Sequence, residues 1–168
     1  MQTETFEYIP ALYNIFNEIL VNARDQVVRL DQNKSNNPVT TLKILINKSS
    51  GLITIYNDGE GIDIAEHPTE KDKKGKPIMI PEMIFGHLLT STNYEKDEKK
   101  IVGGKNGYGA KLTNIFSQYF KLETVDQERG LKYTQEFKNN MKDRGKPKVT
   151  KHSGKSYTKI SWIADFTR

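Results

Sequence analysis

The chain has 168 residues, a net charge of +5, 35% hydrophobic and 28% charged residues, and no cysteine. That length and apolar content suit one soluble globular domain with a real core, and the lack of cysteine excludes a disulfide framework, a thiolate metal site and a thiol nucleophile. No stretch approaches the roughly 20 consecutive apolar residues of a membrane-spanning helix, and no charged segment followed by an apolar run marks a secretory signal.

In chain order, the first element is a helix. From Ala11 to Leu30 apolar residues fall at Leu12, Ile15, Phe16, Ile19, Leu20, Ala23, Val27 and Leu30, the i, i+3, i+4 spacing of an amphipathic helix. Pro10 suits its first turn. The turn-forming run DQNKSNNP (31–38) follows, and Pro38 ends any helix there. Two alternating runs, TLKILIN (41–47) and LITIYND (52–58), are joined by a short SSG turn and read as a hairpin. Leu42, Ile44 and Ile46 share one face, and Ile53, Ile55 and Asn57 share another. A polar loop is expected to about Pro77, then a short helix opened by Pro81 in PEMIFGHLL. A charged, glycine-containing stretch (90–109) leads into a helix at AKLTNIFSQ (110–118). Strands are expected at 119–126, 130–137, 148–152 and 156–163. The pattern predicts an α+β two-layer sandwich, a mostly antiparallel sheet with helices on one face.

Four constellations carry possible chemistry. Glu18 and Asn22 are i, i+4 neighbours and point the same way, on the flank of the apolar stripe where a pocket could open. The same spacing also fits a solvated helix face. In NDGEGI (57–62), Asn57 shares the face of Ile53 and Ile55, so the pleat aims its amide toward the core side. An amide offers both a donor and an acceptor to an adenine edge, and Gly59 and Gly61 let the backbone approach a planar ligand. A plain strand-end turn fits as well. The run GGKNGYGAK (103–111) enters a helix directly, so free backbone N–H groups and Lys111 could face an anion. It is neither a Walker loop, which needs a hydroxyl after the lysine, nor a Rossmann fingerprint, which needs a third glycine. Thr90, Ser91, Thr92 and Asn93 offer hydroxyls and an amide for ribose or phosphate, or simply cap the preceding helix.

Other features read as structural. His67, His87 and His152 stand too far apart for a metal site, and Trp162 reads as core. The lysine clusters at 70–76, 94–100 and 142–151 read as solvated loops, with a surface leaning on nucleic-acid phosphates as the alternative. No aromatic-basic alternation of the kind that stacks bases is present.

The order Glu-x-x-x-Asn, then Asn-x-Gly-x-Gly, then a glycine-rich lid resembles the ATPase superfamily shared by gyrase, heat-shock chaperones, sensor histidine kinases and mismatch-repair proteins (GHKL). Within it, FNEILVNARD, YNDGEGI, MIFGHLLTSTNYEKDEKKIVGGKNGYGAKLTNIFS and YTKISWIADFTR resemble the ATPase domain of eukaryotic-type DNA topoisomerase II. The likeness covers nearly the whole chain. It implies one Bergerat-type ATP-binding domain over 1–168, lacking the family's N-terminal arm and following transducer domain, and hence slow turnover at best. The implied substrate is ATP with Mg²⁺. By resemblance, Glu18 is the catalytic residue that orients and deprotonates the attacking water. Asn22 gives its amide oxygen to Mg²⁺, and Asn57 binds the adenine amino group with Gly61 packed nearby. Ser91, Thr92 and Asn93 hold ribose and phosphate, while Gly104, Lys105, Asn106, Gly107, Tyr108, Gly109, Ala110 and Lys111 cover the phosphates. The resemblance further implies double-stranded DNA as partner of the intact enzyme, a homodimer at full length with this segment monomeric, no membrane, and a nuclear or other DNA-containing compartment. Arg24 and Gln26 depart from a more frequent Ala and Asn, and Lys105 from a frequent Arg, which keeps charge but loses the bidentate fork. The competing function is a nucleotide-dependent clamp or chaperone-like binding module without significant turnover. A third, a nucleic-acid-binding domain without ATP, leaves the glycine lid and the Glu18/Asn22 pair unexplained.

Overall fold

The computed structural model describes residues 7–72, 74–87 and 109–167. The first helix, α1, runs from Pro10 to Gln32 with proline at its start, as the spacing predicts. Ile15, Ile19, Ala23 and Leu30 are its buried residues. It leads through an irregular segment into the hairpin β1 (Leu42–Asn47) and β2 (Leu52–Asp58). A second, two-stranded sheet of β3 (Glu66–Lys71) and β4 (Pro77–Met79) occupies the region expected to be loop. EHPTEK carries a proline and no apolar alternation, so nothing local announces β3.

The short helix α2 (Ile80–Gly86) follows at once. Helix α3 (Gly109–Ile115) is shorter than the expected 110–118, because the chain has already entered β5 (Ser117–Asp126) at Ser117. The hydroxyl of that serine donates to the Thr113 carbonyl at 2.5 Å, satisfying one of the helix's terminal acceptors. The remaining strands are β6 (Leu131–Lys138), the two-residue β7 (Asp143–Arg144), β8 (Lys148–Lys151) and β9 (Tyr157–Ala164).

The main sheet has the order β1-β2-β9-β5-β6-β7, with β8 also paired to β6. Every pairing of the main sheet among the described residues is antiparallel, as the sequence pattern predicts for most of it. The last strand, β9, inserts between β2 and β5, and this places the two motif-bearing halves of the chain side by side. The three helices of the described residues lie on one face. Against them the strands present Ile55, Phe120, Leu122, Tyr133, Phe137, Ile160 and Trp162, with Trp162, Phe120 and Phe137 fully buried. At the sheet margin Leu42, Ile44 and Ile46 lie opposite Asn57, Ile55 and Ile53 in register, yet every residue of β1 is exposed. The helix layer does not reach that far.

The opposite face is polar. Glu123 accepts from the Tyr157 hydroxyl at 2.6 Å and lies 3.3 Å from the Lys132 ammonium and 3.7 Å from that of Lys159. Burial alone would raise its pKa, but these partners outweigh burial and hold it lowered. Among the described residues no helix is long and apolar enough to cross a membrane.

Candidate functional site

Between α1, the loop after β2 and the start of α3 lies a cleft of about 800 Å³. Glu18 and Asn22 stand on its α1 wall, one turn apart. Glu18 is half-buried and Asn22 exposed, which matches a position on the flank of the apolar stripe. Asn57, 5% exposed, lies at the end of β2 and also lines the cleft. Its amide nitrogen donates to the Asp58 carbonyl at 2.9 Å, which commits one of its two N–H groups and leaves the amide oxygen as an acceptor for a ligand.

The loop carrying Gly61 is fastened on both sides. On the sheet side, the Ile62 amide donates to Thr124 Oγ1 at 3.0 Å and the Ile64 amide to Asp126 Oδ2 at 3.1 Å. On the helix side, Gln26 Nε2 donates to the Glu60 carbonyl at 3.1 Å, and the Ser35 hydroxyl donates to Glu60 Oε1 at 2.5 Å. Gly61 lies so close to β5 that a Cβ there would overlap the Val125 carbonyl. Asp126 also takes the Arg129 guanidinium at 2.7 Å, and Arg129 reaches Asp63 at 3.3 Å. Burial tends to raise the Asp126 pKa, but the Ile64 and Arg129 donors outweigh it and lower it.

Gly109 and Ala110 bring the start of α3 to the same cleft. Gly109 lies close against the Glu18 carboxylate: a Cβ at position 109 would overlap it. Lys111 departs from the expectation. It is 4% exposed, does not line the cleft, and burial lowers its pKa. At about 100° per residue, the helix that turns Gly109 and Leu112 to the cleft carries Lys111 round to another side. Thr90, Ser91, Thr92, Asn93, Gly104, Lys105, Asn106, Gly107 and Tyr108 lie outside the described residues.

Three contributors were not legible in the sequence as site residues: Thr124, Gln26 and Arg29. Arg29 lines the cleft and donates to Gln26 Oε1 at 2.7 Å. Among the described residues lining the cleft it is the one cation. The only signals for the other two were a polar residue at an inward-facing strand position and a long amide one turn beyond Asn22. Arg24, by contrast, points to solvent beside Asp25.

Among the described residues no three His, Asp or Glu side chains gather as metal ligands. The Asn22 amide oxygen suits a magnesium ion that arrives with phosphates and water as its main ligands. His87 pairs with Glu82 at 3.3 Å, and His67 Nδ1 accepts the Glu70 amide at 3.0 Å, so both serve local structure.

No family model matches the chain. Relatives do. It is 47% identical over 161 residues, 96% of its length, to DNA topoisomerase 2 of Acanthamoeba polyphaga mimivirus. It is 48% identical over 169 residues to DNA topoisomerase 2 of Candida glabrata. The chain spans 12% and 11% of the length of these two relatives. Among solved structures, the ATPase region of Saccharomyces cerevisiae topoisomerase II superposes with a TM-score of 0.80 at 46% identity, covering 98% of this chain and 40% of that one. In sequence and in fold, then, the chain belongs to the type II DNA topoisomerase family and corresponds to part of its ATPase region.

Proposed function

We propose that the chain binds Mg-ATP in this cleft and hydrolyses it, as the ATPase portion of a type II DNA topoisomerase. In the longer protein, nucleotide binding drives closure of an N-terminal gate for passage of double-stranded DNA. That protein acts as a homodimer in a nuclear or other DNA-containing compartment, while the segment alone is a monomer. The observation that carries this reading is the convergence of Glu18, Asn22, Asn57, Gly61 and Gly109 on one cleft. Each member has a chemical task there. The Asn57 amide oxygen accepts from the exocyclic amino group of adenine, a group that guanine replaces with a carbonyl. Gly61 packs beside the base. Asn22 offers an oxygen to magnesium, and Glu18 orients the attacking water and takes its proton. Phosphoryl transfer asks little more of a protein than such positioning and charge stabilisation. Ser91 to Asn93 and the glycine-rich 104–110 run complete the ribose and phosphate contacts in this reading.

The test is Glu18→Gln, which keeps shape and removes the base. Mg-ATP is expected to raise the melting temperature of parent and variant alike, by mass action, and more than Mg-GTP does, while hydrolysis disappears only in the variant. If the variant turns over ATP at the parent's rate, the carboxylate is not the base and the nucleotide-dependent clamp gains. If Mg-ATP stabilises neither protein, the cleft is not a nucleotide site.

A further inference from the structure

Helix α3 lies along α1 in the opposite sense, for Gly109 meets Glu18 while Thr113, one turn later, meets Ile15, nearly one turn earlier. The second rung is a hydrogen bond. Thr113 is fully buried, and its hydroxyl donates to the Ile15 carbonyl at 2.8 Å. The Gly109 carbonyl, the usual partner for a threonine looking back along its own helix, is farther, at 3.3 Å. The Ile15 carbonyl lies inside α1 and has the amide four residues on as its partner. The threonine bond is therefore surplus to the needs of α1. What it adds is a fixed register between two helices, next to the place where Gly109 lies against the Glu18 carboxylate.

We propose that Thr113 is a positioning residue: its hydroxyl, bonded to the Ile15 carbonyl, sets the register of α3 on α1 that seats Gly109 against Glu18 and so fixes the direction of that carboxylate into the cleft. The inference rests on the reading of Glu18 as the residue that orients the attacking water. A helix free to slide by a fraction of an ångström would open space beside the carboxylate and let it swing, and catalysis is far more sensitive to such a shift than binding is. Glu18 contributes to the reaction by its aim, whereas ATP is held chiefly by other walls of the cleft.

The test compares Thr113→Val, which keeps the shape and removes the hydroxyl, with Thr113→Ser, which keeps the hydroxyl. Thr113→Ala serves if the valine variant does not fold. In single-turnover hydrolysis with protein in excess, the valine or alanine variant is expected to lose on the order of tenfold or more in rate. Its Kd for a non-hydrolysable ATP analogue should stay close to the parent's, and serine should restore the rate. A loss shared equally by rate and Kd, or no rescue by serine, would make Thr113 a packing residue only. A second readout needs no turnover: the NMR chemical shift of the Glu18 side-chain carboxyl carbon, compared at one fixed pH, should move in Thr113→Val and return in Thr113→Ser. If it does not move, the proposal is overturned. If it moves while the parent hydrolyses nothing, the helix clamp stands and the ATPase reading falls.

Discussion

At position 109 the space that any side chain would need is taken by the Glu18 carboxylate. Gly109→Ala must therefore push that carboxylate aside or lift α3. The expected outcome is a fall in hydrolysis on the order of a hundredfold, the cost of misplacing a reacting group by about an ångström, with ATP affinity much less affected. Single-turnover rates and equilibrium binding on the same sample separate the two, and an unimpaired rate would show that the contact is passive. Asn22 makes a different prediction. If its amide oxygen faces the metal, Asn22→Ala weakens ATP binding about tenfold, or ~1.4 kcal/mol, when Mg²⁺ is present and hardly at all when it is chelated. Isothermal titration under the two conditions decides; equal losses in both would remove the ligand role. Glu18, Asn22 and Asn57 could be singled out from sequence because their geometry is local, a helical turn in one case and a strand pleat in the other. Thr124 could not, since the amide it holds belongs to a residue 62 positions away. Lys111 shows the converse: its place at a helix start suggested a phosphate contact, but rotation about the helix axis took it off the wall.

Among the elements, the loop after β2 is the one whose position is most tightly dictated. It is stapled to β5 by Thr124 and Asp126 and to α1 by Gln26. Gly61→Ala places a methyl group on the Val125 carbonyl, so the loop has to lift and break the Ile62–Thr124 bond. A destabilisation of about 1–3 kcal/mol, the usual cost of overpacking, should appear as a lower urea midpoint with unchanged slope, together with weaker ATP binding. A midpoint equal to the parent's would mean that the loop adapts freely. Helix α1 and the β1–β2 hairpin were readable because their apolar periods are long and clean. Strand β3 was not, because its pairing with β4 depends on a turn and a neighbour rather than on its own alternation. The end of α3 was missed for a related reason: Ser117 and Gln118 continue a helical-looking run, and the pairing of Ser117 with Ala164 of β9 makes that segment strand.

Across the whole molecule, the end of the chain is tied to the loop after β6 through Asp165. Its carboxylate accepts from the Thr167 hydroxyl and amide and from Asn140 Nδ2, and these donors lower its pKa to about 2. A carboxylate ordinarily titrates near ~4, so this group binds its proton more readily when the chain is unfolded. Its contribution to stability is full above about pH 4 and is lost as the pH falls through about 2. The urea midpoint should drop across that window, and less so in Asp165→Asn; identical pH profiles would exclude the carboxylate as the cause. The outermost strand β1 has a consequence of another kind. Leu42, Ile44, Leu45 and Ile46 leave 37 to 60% of their surface in water, on a margin that neighbouring molecules could touch, and mutual repulsion from a net charge of +5 keeps such margins apart. Added salt screens that repulsion while leaving the oily rim as attractive as before, so light scattering from concentrated solutions should rise with ionic strength, and Ile46→Lys, by both removing oil and adding charge, should quiet it.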